Sequence, residues 1–342
     1  MVPATTPPLV TVVIPVFNQR GDFLRQCIES VLGQDYPNLE VIVSDNHSDN
    51  GSREVIESFA DPRLHVIRPP RHLPMVQHWA YATSHARGEY LSMMGSDDWA
   101  EPGWIGAVMS ELSARPSASF AYPNLTLRFQ KTGESRPARD EAIPTQLMSP
   151  EDAARQVVEW TSHMFSWWIV GALIRAGDYF AVSGIARYAT IHNGDYPLSL
   201  GLLTRGDALY VRQKLVNYRI WGEDEGKSDG RRQAVNLEDM VRILACSQTD
   251  PPVRVLCQRA GWSTGRIRRR FIKLAILWTT PLATGSGPTP EERKRIFDAL
   301  GILLSARVHP GMLLAPLFVL MKLFVNTAPP WMKKLARKIF GI

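Results

Sequence analysis

Residues 10–17 read VTVVIPVF, an apolar run rich in β-branched side chains with no polar alternation. A strand written this way is buried on both faces, which requires helices above and below a parallel sheet. The chain then supplies those helices and further strands in turn. Asp22–Leu32 carries Phe23, Leu24, Cys27, Ile28 and Val31 at helical spacing, and Glu40–Val43 (EVIV) is a second buried strand. Ser52–Phe59 reads as a helix, Leu64–Ile67 as a strand, Met75–His85 as a helix and Tyr90–Met94 as a fourth strand. Strands alternating with helices of about ten residues are the pattern of an open parallel α/β sheet.

Ligands of such sheets bind beyond the carboxyl ends of the strands, and the unusual polar residues fall there. Asn18 follows the first strand, Ser44-Asp45-Asn46 the second, Arg68 the third, with Arg71 close behind, and Asp97-Asp98 the fourth. Adjacent carboxylates repel and gain nothing as packing. Converging with other strand-end groups, they suit a hard divalent cation, Mn²⁺ or Mg²⁺, which shares its shell with water and phosphate. The alternative is an exposed Asp-Asp turn capping a helix begun by Trp104.

Several stretches in order then resemble the inverting family 2 glycosyltransferases. These are VTVVIPVFNQ, SVLGQDYPNLEVIVSDNHSDNGS, ARGEYLSMMGSDDWAEP, HNGDYPLSL and LVNYRIWGEDEGKS, spanning Val10 to about Ser228. The resemblance implies an α/β fold of the GT-A (Rossmann-like) type with a mostly parallel sheet. It places a nucleotide-sugar-binding domain over residues 1–230 and leaves a helical C-terminal region over 231–342. It implies that Pro15, Val16, Phe17 and Asn18 line a nucleotide-sugar pocket, and that Asp45 and Asn46 lie in the loop that reads the base, with Arg68 beside the phosphates. Asp97 would lie near ribose and metal, and Asp98 would hold the metal. Asp195, in HNGDYPL, would be the catalytic base; read without the resemblance, it suits a helix N-cap for Tyr196–Thr204 equally well. Where relatives often carry a histidine after the Tyr-Arg pair, this chain has Trp221, which cannot ligate a metal. The implied reaction is transfer of a sugar from a nucleoside-diphosphate sugar, UDP-sugar favoured, to a glycan or lipid-linked acceptor. Transfer to polyprenyl phosphate and an inactive scaffold are the alternatives.

The back of the chain differs in charge. Residues 1–230 hold 20 basic against 27 acidic residues, and residues 231–342 hold 19 against 6. Arg266–Trp278 (RIRRRFIKLAILW), the apolar Met312–Val325 and the closing WMKKLARKIFGI suit a peripheral anionic membrane surface through 266–278 and 312–342. The apolar segment falls short of the roughly 20 residues a spanning helix needs. Packing as a helical core and a homo-oligomer interface are the other uses these residues fit. No nucleic-acid module accompanies the arginines, so nucleic acid is not an expected partner. Three scattered cysteines argue against a disulfide framework or a zinc site, and the N-terminus MVPATTPPLV has neither a basic n-region nor an apolar h-region. The expected location is therefore the cytoplasm, on the inner face of the membrane.

Overall fold

The alternation of strands and helices builds one mixed sheet. In the computed structural model, which describes residues 6–160, 169–185, 194–220, 230–278 and 298, the first half is β1 (Val10–Val16), α1 (Gly21–Leu32), β2 (Leu39–Asp45), α2 (Ser52–Glu57), β3 (Leu64–Ile67), α3 (Met75–Thr83) and β4 (Tyr90–Met93). The strands β3, β2, β1 and β4 lie side by side in that order, all parallel. The chain moves outward from β1 to β2 and β3, then returns to place β4 on the other side of β1. That reversal opens a crevice between the carboxyl ends of β1 and β4.

Pro15 belongs to a central strand yet breaks no ladder. β1 pairs with β4 only from Val10 to Val13, so the missing N–H falls past the last pair on that side.

The second half adds β5 (Trp99–Ala100), α4 (Trp104–Ser113), β6 (Ala118–Phe129), β7 (Ser135–Pro137), β8 (Gln146–Met148) and α5 (Pro150–Trp160). It continues with β9 (Leu173–Arg175), α6 (Ala176–Ala181), α7 (Asp195–Leu203) and β10 (Asp207–Ile220). β9 joins antiparallel between β4 and β6, and β10 runs parallel to β6. β6 and β10 therefore point the same way as β1, and the end of β10 arrives beside the crevice. β6 also extends through Arg128 and Phe129, and β7 folds back on it through a turn at Gly133 (φ +73°). The polar stretch 128–145 thus includes a hairpin.

Helices cover both faces. α1, α2 and α4 pack over Val10, Val12, Ile14, Val16, Val41 and Val43, while Ala82 of α3 meets Val13 and Ile42 on the opposite face. The rest of that face is covered by α5, α6 and α7. With them pack α8 (Gly230–Thr249), α9 (Pro251–Arg259) and α10 (Thr264–Trp278), whose Met240, Leu256 and Phe271, together with Trp262 between α9 and α10, share one core cluster with Phe120 and Tyr210 of the sheet. Apolar residues beyond 230 thus continue the core of the sheet. Four arginines of these helices, Arg254, Arg259, Arg266 and Arg269, are exposed, while Arg242, Arg268 and Arg270 are half-buried. Among the described residues no helix is long and apolar enough to cross a membrane. Residues 312–342 and Trp221 lie outside the described residues.

Candidate active site

Three loops wall the crevice, and hydrogen bonds tie them to one another. The loop after β1 bonds to the loop after β2: Asn18 N–H donates to Ser48 Oγ (3.0 Å), and Asp49 N–H donates to Asn18 Oδ1 (2.9 Å). Asn50 Nδ2 and Ser52 Oγ both donate to the carbonyl of Gln19 (3.0 and 2.9 Å). Gln19 Nε2 then reaches Ser96 Oγ (3.2 Å) in the loop after β4. Asn18 (φ 49°) and His47 (φ 64°) take left-handed backbone conformations on the two sides of this brace. Such conformations persist where surrounding bonds enforce them.

Pro15 and Val16 are buried within β1, and the Val16 carbonyl accepts the N–H of Asn46 (2.8 Å). Phe17, the first residue past the strand, is 51% exposed and leans on His72, ring centroids 4.6 Å apart. This pair is the exposed aromatic surface of the crevice.

Asp45 is buried at the end of β2. Its Oδ1 accepts the N–H of Ser48 (3.0 Å), and its Oδ2 stands 3.6 Å from Nε of Arg68. Arg68, at the end of β3, is thereby brought to the crevice; Arg71 is exposed on the following loop. Asn46, beside Asp45, turns its amide onto the backbone of Leu73. Its Oδ1 accepts the N–H of Leu73 (2.9 Å) and its Nδ2 donates to the carbonyl of Leu73 (2.8 Å). The amide is matched to the N–H and carbonyl of one residue, and only an amide supplies both a donor and an acceptor at that reach. Asn46 therefore fixes the 69–74 loop, and its edge is already occupied. Beneath it, His78 Nε2 meets Ser44 Oγ at 2.9 Å, and burial pushes its imidazole down to about 4.

The acidic pair is no exposed cap. Gly103 occupies the N-cap position of α4, and β5 intervenes between the acids and that helix. Asp98 is 3% exposed, and its Oδ1 accepts the backbone N–H of Arg219 (2.9 Å). Burial, reinforced by Asp97, pushes the Asp98 carboxyl well above the ordinary carboxylate range, while Arg219 opposes the shift. The two carboxylates converge over Gly95: a Cβ there would stand 2.9 Å from Asp98 Oδ2 and 3.0 Å from Asp97 Oδ1. Glycine leaves that space open, and two hard oxygen donors border it. Among the described residues no cluster of three or more His, Cys, Asp or Glu side chains forms. A pair of carboxylates fits a small divalent cation that keeps water and substrate phosphate in its remaining positions. Below the pair, Cys27 Sγ donates to the Gly95 carbonyl (3.4 Å); burial, then Asp98 and Asp97, raise its thiol.

Arg219 is the residue that sequence reasoning passed over. Its guanidinium donates to the Asp97 carbonyl and to Gln26 Oε1, and it lies 3.8 Å from the Phe23 ring centroid and 4.4 Å from that of Trp99. A charged residue inside the otherwise buried strand LVNYRI was the available signal.

Asp195 is the first residue of α7, with Gly194 at the N-cap position, so its side chain is not the cap. It is half-buried, and Tyr196 beside it belongs to the cluster that contains Met93, Tyr122 and Tyr210. Asp195 thus lies on the α5–α7 face of the sheet. In the stretch SHMFSWWIVG (162–171), residues 162–168 lie outside the described residues, as do 186–193 before Asp195. Asn124, in the sequon Asn124-Leu125-Thr126, is buried and bonds the backbone of Arg139 at both N–H and carbonyl.

An open sheet with its polar groups gathered at the β1–β4 crevice is a GT-A-like α/β fold. Residues 11–174, just under half of the chain, match the model of glycosyl transferase family 2. GlyG, a glycosyltransferase of Streptococcus pneumoniae, is 30% identical over 109 residues, 31% of this chain and 36% of that protein. TuaG of Bacillus subtilis, described as a teichuronic acid biosynthesis glycosyltransferase, is 32% identical over 93 residues, 27% of this chain and 36% of that protein. The chain thus spans about a third of the length of these two relatives. Among solved structures, S. aureus TarS 1–349 in complex with UDP-GlcNAc superposes with a TM-score of 0.60 at 13% identity, over 93% of this chain and 89% of that one. That likeness is one of fold.

Proposed function

We propose that the chain is a metal-dependent inverting glycosyltransferase. It moves a sugar from a nucleoside-diphosphate sugar to a hydroxyl of a glycan or lipid-linked acceptor in the assembly of a bacterial surface polysaccharide. The observation that carries this is the convergence of Phe17, Asn18, Asp45, Arg68, Asp97 and Asp98 on one crevice, in a family 2 domain. UDP-GlcNAc bound to a protein of the same fold favours a UDP-sugar as donor, and the description of TuaG favours a surface polysaccharide as product.

Phe17 and His72 offer the base an aromatic face, and Asp97 approaches the ribose. Arg68 stands where it offsets phosphate charge. Asp97 and Asp98 would hold a divalent cation, Mn²⁺ or Mg²⁺, which would supply positive charge for the departing diphosphate. Asp195 accepts the proton of the acceptor hydroxyl as its oxygen forms the new bond to the anomeric carbon. The bond from that carbon to the diphosphate oxygen breaks on the opposite face, so the anomeric configuration inverts.

The test is turnover across UDP-, GDP- and dTDP-sugars with Mn²⁺, using membrane extract as acceptor source. One donor should be consumed. Asp195→Asn should lower kcat by roughly 10²–10⁴-fold while leaving donor KM nearly unchanged. A protein that binds and consumes no donor sinks the proposal and favours a scaffold.

The exposed arginines Arg254, Arg259, Arg266 and Arg269 favour a second element of the reading: peripheral attachment to an anionic membrane on the cytoplasmic face. Co-sedimentation with phosphatidylglycerol vesicles, but not with phosphatidylcholine vesicles, is the expected result.

A further inference from the structure

Two carboxylates, one of them nearly sealed from solvent, share a small space over Gly95. Without compensation such a pair repels, and burial amplifies the repulsion. The group that meets them from β10 is Arg219. Its position is fixed on every side that the contacts define. Its backbone N–H bonds Asp98 Oδ1, its guanidinium bonds the Asp97 carbonyl and Gln26, and its plane is flanked by Phe23 and Trp99. A guanidinium flanked by two rings and tethered through both ends is not poised to swing out to a substrate. It is a stationary positive charge beside the acids.

We propose that Arg219 is the resident counter-cation of the Asp97–Asp98 pair, a positioning residue that keeps the two carboxylates side by side before any metal arrives and thereby sets how strongly the pair takes one. The inference deepens the metal-dependent reading given above and rests on it for the role of the pair. A fixed charge of the same sign as the incoming ion has two opposed effects. It preorganises the ligands, and it repels the ion. The same charge attracts the diphosphate that follows. Removing the charge while keeping a polar side chain should therefore shift the two ligands in opposite directions, whereas loss of a purely structural tether weakens both.

The experiment compares full-length wild type, Arg219→Lys and Arg219→Gln. Mn²⁺ alone is titrated by calorimetry and by its solution electron-spin signal, and UDP is then titrated at saturating Mn²⁺. Arg219→Gln should bind Mn²⁺ about threefold to tenfold more tightly and UDP weaker by a similar factor. Arg219→Lys, which keeps the charge, should stay within about twofold of wild type for Mn²⁺. Weakening of both ligands in Arg219→Gln, or equal losses in both variants, overturns the proposal. If Arg219→Gln fails to fold, the double variant Asp97→Asn/Arg219→Gln should recover thermal stability, because one member of the repelling pair has been neutralised. A double variant no more stable than Arg219→Gln alone overturns the proposal as well. Wild type that binds neither Mn²⁺ nor UDP sinks the transferase reading, while the stability comparison still decides whether Arg219 balances the acids.

Discussion

The bonding of Asn46 makes a sharp prediction, because its two side-chain atoms serve two different backbone groups of one residue, Leu73. In Asn46→Asp the acceptor to the Leu73 N–H survives, while the donor to the Leu73 carbonyl is replaced by a second oxygen. Asn46 is 2% exposed, so water does not repair the loss. The lost hydrogen bond contributes about 1 kcal/mol, and leaving a buried carbonyl opposite a carboxylate costs about 2 kcal/mol more, giving about 3 kcal/mol in total. Asn46→Ala removes both bonds without adding a charge and should cost about 2 kcal/mol. Urea unfolding at pH 7.5 should therefore rank wild type above Asn46→Ala and Asn46→Ala above Asn46→Asp, at constant m-value. The pH dependence fixes the cause. Burial and the facing carbonyl raise the pKa of the introduced carboxyl above its unfolded value of about 3.9, so the protonated form, which can donate to Leu73, is the favoured one. Its stabilising contribution is complete below the unfolded pKa and is lost as pH rises through the folded pKa. Asn46→Asp should accordingly regain ground on Asn46→Ala as pH is lowered from 7.5 to 5. Equal stability of Asn46→Asp and wild type at pH 7.5, with no such convergence, would refute the pairing with Leu73 as the reason for an amide here.

Three more outcomes follow from the same geometry. His78, buried neutral against Ser44 with its imidazole lowered to about 4, resists protonation in the folded state. Its contribution is complete above the unfolded pKa of about 6.5 and declines as pH falls toward 4, by up to about 3 kcal/mol; His78→Gln should show a flatter stability profile than wild type across that window. Asp98→Asn keeps an acceptor for the Arg219 N–H but removes a buried charge, so without metal it should unfold at higher urea than wild type, by about 1 kcal/mol. The same variant should lose Mn²⁺ binding in calorimetry. Gly88→Ala would put a Cβ 2.5 Å from the Tyr90 carbonyl, 2.7 Å from Thr11 N and 2.8 Å from the Leu9 carbonyl. Three backbone atoms cannot yield cheaply, so the melting temperature should drop by an amount matching about 3 kcal/mol or more.

The front half of this fold was legible because its strands are buried on both faces and its helices carry regular apolar stripes. β3 has the bounds that the pattern predicts, and β1, β2 and β4 differ only at their ends. β6 was harder to see. Its sequence ASFAYPNLTLRF contains a proline and an asparagine, and it is a strand because Asn124 turns its amide onto the backbone of Arg139 and because β10 and β9 flank it. Strand ends also located the polar crevice residues, since topology alone brings Asp45, Arg68 and Asp98 to one edge. What side chains do within that edge was not readable. Asn46 faces a residue, Leu73, that lies 27 positions away in sequence, and Arg219 meets acids more than 120 positions away. Such pairings depend on loop paths and strand order, which no local pattern encodes. For Asp195, sequence pattern alone left base and helix cap as equals, and the cap geometry at Gly194 removes the second role.

The brace through Gln19 has a consequence for how this crevice can change. Its carbonyl serves the loop after β2 and its amide serves the loop after β4, while Asn18 bonds that same β2 loop in both directions. Substitutions in one wall therefore act on residues whose best partners sit in another, and their effects will not add. A variant that grafts one loop from a relative inherits half of a joint. Recombining ligand preference in this scaffold means moving residues 17–20, 46–52 and 95–98 together, as one heritable unit.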